Sequence, residues 1–312
     1  MSTRRFHFHR LTEMFFSLIF LCAGCSHGKT SATSAAQPQR LFVTVAESAT
    51  LLIYRSAAEG EQSMATIKER PPDRPIDCSV NFVGEVYVAN QNGNVRVYGA
   101  GRDDQYKLVR SYEGPHTRLE HPVAITVNPA GSFYVADTGN GHGRVEWFSG
   151  GANEDILPDK VLEGPHTGIS EPGGVAIDGS GRTFVSDRGS NRILVFDPNA
   201  RDDATPLTIL DGLHAPGRIA IDDLLNLYVV NTGDNTIVVL SSTGPESWAP
   251  GATITSKLQS PGAIATNQSG QIAIGASDGI WFFATDLQGE GDPLFSIHGG
   301  VPPVHPSGVC FH

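Results

Sequence analysis

The chain of 312 residues carries 22 Lys and Arg against 33 Asp and Glu, a formal charge of −11, so it lacks the basic balance of a nucleic-acid binder. With 39% hydrophobic residues it can build a core, and its 35 Gly and 20 Pro point to many tight turns rather than to disorder. Residues 1–24 read as a removable export signal. Arg4, Arg5 and Arg10 precede a short apolar run from Met14 to Gly24, too short to anchor in a bilayer but suited to a signal's apolar segment.

The run ends in Leu21-Cys22-Ala23-Gly24-Cys25. Small residues ahead of a cysteine resemble the lipobox of bacterial lipoproteins, which implies that Cys25 is diacylated and becomes the mature N-terminus. Cys22 stands where that family usually has Leu, so ordinary cleavage after a nearby small residue is the other reading, giving a soluble exported protein. Arg4-Arg5 also hints at a twin-arginine signal, although the residues after it fit that pattern poorly. Residues 25–40 follow as lipidated Cys and tether, small and polar without periodicity (SHGKTSATSAAQPQR after Cys25). Loss of residues 1–24 removes three Arg and one Glu and leaves a net charge of −13, a body weakly repelled by anionic lipid. The expected location is the cell envelope. Ser26 lacks the aspartate that retains many such lipoproteins at the inner membrane, so the family rule leans to the outer one.

The body, residues 41–312, is periodic. Six segments begin with proline and lie 44 to 50 residues apart: Pro75-IDCSVN, Pro122-VAITVN, Pro172-GGVAID, Pro216-GRIAID, Pro261-GAIATN and Pro306-SGVCFH. Each reads as a strand entering a turn such as Pro129-Ala130-Gly131. A second strand follows five of them, as in Ser132-FYVAD and Arg182-TFVSD, and its sixth copy, Leu41-FVTVAES, opens the body. Gly-rich turns then lead to third strands such as Arg144-VEWF and Arg192-ILVF, and a less regular fourth stretch returns to the next proline. Four short strands per repeat make one antiparallel blade, and six repeats make an all-β, six-bladed propeller. Because the body starts on a second strand and ends on a first, the C-terminal strand is expected to pair with the N-terminal one and close the ring.

The stretches YVADTGNGHGRVEWF and FVSDRGSNRILVF, each preceded by a segment of the form P-x-G-[IV]-A-[IV]-D, resemble the NHL repeat of six-bladed propellers. The likeness spans residues 41–312, is sharpest in blades three to five, and weakens in the first blade and in the sixth, where Ala276-Ser277-Asp278-Gly279 replaces the Gly-Asn turn. The Trp-Asp signature of WD40 blades and the doublet glycines of kelch repeats are missing. The resemblance implies a fold and a range of uses, not one function.

Asn90, Asp137, Asp187 and Asn231 end second strands just before turns, where their side chains serve as acceptors for backbone amides. Arg144 and Arg192 are expected to pair around the same turns. The unusual residues cluster in the loops from fourth strands to the next first strands, which share a face with the second-to-third turns. Glu113-Gly-Pro-His116-Thr117 recurs as Glu163-Gly-Pro-His166-Thr167, and the positions before the prolines include Arg74, His121, Glu171 and His305. At the third position of the six first strands stand Asp77, Ala124, Gly174, Arg218, Ala263 and Gly308. Small residues there suit a crowded axis, while Asp77 and Arg218, on opposed blades, touch across the channel or polarise it for a ligand, or else form a solvated or mutually satisfied pair.

The candidate binding residues are therefore Arg74, His116, His121, His166, Glu171, Arg218 and His305. His121, Glu171 and His305 are the candidates for a metal, zinc or calcium, although Arg74 is a poor neighbour for a cation. Related propellers that are enzymes, peptide-amidating lyases and lactonases of the gluconolactonase type, imply that alternative. No nucleophile elbow, zincin, P-loop or paired C-x-x-C motif occurs in the body, so no catalytic residue is assigned. The first reading is a monomeric, membrane-tethered, non-enzymatic module without a cofactor, binding a protein, peptide or glycan. Cys78 and Cys310 fall on the first strands of adjacent blades; depending on which way the fourth position faces, they bond at the closure point or point apart.

Overall fold

The computed structural model describes residues 39–58, 61–101, 105–151, 154–255, 258–286, 291–298 and 305–312. The signal, the Cys25 lipidation site and the tether to residue 38 lie outside the described residues.

Six four-stranded antiparallel sheets form the body, five of them built from strands in consecutive order from an inner to an outer edge and the sixth from the last strand followed by the first three. The inner strands are Pro75–Val80, Pro122–Val127, Pro172–Ile177, Pro216–Ile221, Ala263–Thr266 and Gly308–Phe311 for blades two to six and one. The last of these pairs with Leu41–Val45, with Leu41 opposite Phe311 and Thr44 opposite Gly308. Arg40 and His312 extend the ladder with reciprocal backbone hydrogen bonds of 3.0 Å. The first blade is thus assembled from both ends of the body, and the ring has no free seam.

The alternation of apolar residues explains why blades stack. Second and third strands such as Val86–Asn90 and Arg192–Phe196 are buried nearly throughout, because both sheet faces are covered by neighbouring blades. Among the described residues the buried apolar side chains divide into six clusters, one at each blade-to-blade contact. Between blades two and three, Phe133 stacks on Phe148 at 4.9 Å and meets Tyr112 edge-on at 4.7 Å. Stability comes from repeating that contact around the circle.

Consecutive antiparallel strands divide the turns between two ends of the ring. The first-to-second turns gather on one, called here the turn face. The second-to-third turns and the fourth-to-first loops gather on the other, the loop face.

Cys78 and Cys310 form a disulfide, with Cα atoms 5.8 Å apart, that links the inner strands of blades two and one across 232 residues. Of the two orientations open to the sequence, the structure has the one in which they face each other. In the chain-entropy picture, closing a loop that long stabilises the fold by ~5 kcal/mol. Residues 41–312, denatured without reductant, should show no thiol and two after reduction. Cys310→Ala should lower the denaturation midpoint without altering the strand content seen by circular dichroism. Two thiols before reduction would remove the bond.

Candidate functional site

The axis of the ring sets the first part of the site. In blades two to five the register slips just after the proline, between Pro75 and Asp77, Pro122 and Ala124, Pro172 and Gly174, and Pro216 and Ile219. Such bulges bend a strand and re-aim the side chains beside them. Asp77 and Arg218 stand at this level, and they meet across the channel, Arg218 Nε lying 3.4 Å from Asp77 Oδ2. The guanidinium also donates to the carbonyls of Gly173 (3.0 Å) and Ile76 (2.9 Å). One side chain of blade five therefore ties down blades two and four.

The other third-position residues are small because their neighbours leave no room. A Cβ on Gly308 would stand 2.6 Å from the Asp77 Cα, and one on Gly174 2.7 Å from the Gly217 carbonyl oxygen. Burial pushes the Asp77 carboxyl up from its ordinary range, against the charge of Arg218 and the amides of Ile125 and Cys78. The same burial opposes the charge of Arg218, which Asp77 supports and nearby Arg188 disfavours.

From this pair toward the turn face the axis widens into a cavity of about 270 Å³, lined by the inner strands of all six blades. Its wall is the edge of six sheets. Asp77 accepts from the Ile125 amide and Ser79 from the Val127 amide, while the Thr266 hydroxyl donates to the Ile221 carbonyl. Side chains of adjacent blades thus satisfy peptide groups that no strand pairs. Of the seven predicted binding residues, only Arg218 lines this cavity.

The loop face is built differently. His116 donates its amide to Asp155 Oδ1 (2.7 Å), and its Nδ1 lies 2.6 Å from Asp155 Oδ2. His166 repeats both contacts with Asp203, each at 2.6 Å. Thr117 and Thr167 return hydrogen bonds to the carbonyls of Gly114 and Gly164, closing each pentapeptide into a compact turn. The His166 hydrogen bonds hold the Asp203 carboxyl below the usual carboxylate range, and at Asp155 the His116 hydrogen bonds outweigh desolvation with the same result. The two aspartates escaped the sequence reading. Their signal is spacing, since each follows its histidine by nearly the same interval, 39 and 37 residues.

Asp137 and Asp187 act as acceptors, but for the loop ahead of their own inner strand as much as for the turn behind them. Asp137 takes the amides of Glu120, His121 and Gly139. Asp187 takes those of Ser170 and Glu171. Asn231 holds the His214 amide (2.7 Å), whereas Asn90 donates to Asn94 (2.9 Å). Arg74, His121, Glu171 and His305 are exposed just ahead of their inner strands. Among the described residues no three His, Cys, Asp or Glu side chains come together to hold a metal. A shallower cavity of about 370 Å³ lies on the loop face between His142, Glu163 and Ser170, with Glu163 paired to Arg118 at 2.5 Å.

The third blade carries a buried ionic cluster behind this face. Arg144 pairs with the fully buried Glu146 and reaches Glu120 (3.3 Å) and Asp137 (3.8 Å). Desolvation, joined by the charge of Asp137 and opposed by Arg144, pushes the Glu146 carboxyl up to about 8.

No protein-family model matches the sequence, and no curated protein matches it. Solved structures do share its fold. A protein of unknown function from Bacteroides caccae superposes with a TM-score of 0.67 at 14% identity, covering 88% of this chain and 98% of that one. A chain of the nidogen/laminin complex gives 0.63 at 13%, covering 88% and 97%. A functionally unknown protein from Desulfotomaculum acetoxidans gives 0.57 at 16%, covering 84% and 80%. At these identities the likeness establishes the propeller and nothing of its use.

Arg218→Met should lower unfolding free energy by ~3–5 kcal/mol because it strands a nearly buried carboxylate, and adding Asp77→Asn should recover part of the loss. Chemical denaturation checks this; a loss below ~1 kcal/mol would mark the pair as solvated. Glu146 is protonated in the fold at pH values where the unfolded chain is not. Its raised pKa therefore makes stability fall as pH rises from about 4.5 to about 8, with no further loss above. Glu146→Gln should remove that slope and raise the melting temperature relative to wild type at pH 8, read from paired melts across the range.

Proposed function

We propose that this protein is an exported, lipid-tethered, NHL-like propeller that acts as a non-enzymatic binding module, presenting its loop face to a protein, peptide or glycan of the cell envelope. The observation that carries this reading is the pair of His–Asp clasps. His116–Asp155 and His166–Asp203 stiffen two exposed loops, leaving ordered imidazole edges on the same face as the exposed His121, Glu171 and His305. Rigid polar loops on a rigid scaffold are suited to recognition at low entropic cost.

The axis speaks against the metal-dependent lyase or lactonase reading. The guanidinium of Arg218 lies across the channel, bound to two carbonyls and a carboxylate, and a fixed cation there disfavours a second one.

The test replaces His116, His121, His166 and His305 together with alanine and compares partner capture after cross-linking in intact envelopes. Capture should fall at least about tenfold, the scale of one lost hot spot, with the melting temperature held within a few degrees. An unchanged partner profile would move the binding surface elsewhere. Total-metal analysis of residues 41–312, purified without chelator, separates the enzyme reading. One zinc or calcium per chain, lost on His121→Ala and His305→Ala, would put it ahead.

A further inference from the structure

We infer that the turn face is the membrane-facing side of the propeller, resting on a neutral phospholipid surface through Phe82, Val83 and Leu224. The inference depends on the tethered reading proposed above and adds to it the orientation of the domain.

The first observation is where the tether joins. The chain reaches the ring through Gln39 and Arg40 into Leu41–Val45, a second strand, and second strands start at the turn face. Arg40 and His312 exchange backbone hydrogen bonds there, and the His312 ring fills the space beside Gly84, where a Cβ would stand 3.1 Å from it. The foot of the tether thus sits against the Phe82-Val83-Gly84 turn. Fifteen residues separate Cys25 from Leu41. A chain of that length averages only roughly 20 Å between its ends unless it is pulled taut, so the face that carries the foot is the one the anchor holds nearest the bilayer.

The second observation is what that face displays. Phe82, Val83 and Leu224 are 80%, 71% and 77% exposed at the tips of the turns of blades two and five, on opposite sides of the axial cavity. Among the described residues no exposed large apolar side chain lies in a second-to-third turn or a fourth-to-first loop. The apolar tips are not loose. Asn81 Oδ1 accepts from the amides of Val83 (3.2 Å) and Glu85 (2.9 Å), and Asp222 Oδ1 accepts from those of Leu224 (2.9 Å) and Asn226 (2.8 Å). Side-chain clamps of this kind hold the tips outward at little entropic cost on contact. Apolar tips at one end suit insertion at the level of the headgroups. A net charge of −13 after loss of residues 1–24, with Asp223 exposed beside Leu224, selects neutral over anionic lipid.

The experiment uses residues 26–312 with a hexahistidine tag in place of Cys25, held by nickel-chelating lipid on phosphatidylcholine vesicles. Single cysteines introduced as Val83→Cys, Asp223→Cys and, on the loop face, His142→Cys carry a bimane label, and brominated lipid serves as quencher. Quenching several-fold stronger at 83 and 223 than at 142 is expected. It should fall in the Phe82→Ser, Leu224→Ser background and when phosphatidylglycerol is added. Equal quenching at the three sites, or more at 142, overturns the orientation. Lack of quenching at 83 and 223 with protection of the same sites only in intact envelopes also overturns it and points to a protein on this face. Mass analysis of Cys25 in the protein from cells tests the lipid tether separately. Unmodified Cys25 with positive quenching leaves the face lipid-seeking and removes the acyl anchor.

Discussion

Six sheets that meet edge-on at one axis bring six unpaired strand edges together, and this is the constraint from which the rest of the structure follows. An edge strand exposes peptide groups that must find partners. Here several inner strands lend side chains to their neighbours. Asp77 and Ser79 take amides of blade three, Thr266 caps a carbonyl of blade five, and Ser307 donates to the Pro75 carbonyl. Arg218 serves two blades at once. The glycines at positions 174 and 308 answer the same crowding, since their neighbours' backbones occupy the space of a side chain.

That constraint also divides the molecule into two ends. On one side of the Asp77–Arg218 pair the axis opens as a cavity walled by strand edges. On the other, the chain passes from blade to blade through loops held by Asp137, Asp187 and Asn231. The same carboxylates that look like catalytic candidates in a list of polar residues are the acceptors that set the path of the chain into each inner strand. Their burial makes them costly unless every lone pair is occupied, which is why backbone amides surround them.

Much of the architecture was legible because it repeats. The proline-led segments recur six times, with strand endings in Asp or Asn and Gly-rich turns in most copies, and one incomplete repeat at each end of the body implies a closed ring. What does not repeat was harder to read. Whether Asp77 and Arg218 touch depends on bulges beside Pro75 and Pro216 that leave no mark in composition. The direction of Cys78 depends on the same bulge, which shifts the parity of every later position in its strand. Asp155 and Asp203 sit in the least regular stretch of the repeat, where no recurring motif surrounds them although the interval to each histidine is nearly constant. Duplication explains the histidines, and it explains equally why each found the same partner.

The circular permutation of the first blade has a further consequence. A propeller whose chain entered on an inner strand would be entered from the loop face, because first strands start there. By entering on a second strand, this chain reaches the ring from the turn face instead. The C-terminal strand then supplies the missing inner edge, and the Cys78–Cys310 bond fastens it to blade two. Closing the ring and fixing the end from which Leu41–Val45 is entered are thus one topological choice. Leu41–Val45 is paired on both sides, with Thr50–Tyr54 and with Gly308–Phe311, so a load applied at Leu41 would pass into a sheet rather than unzip an edge.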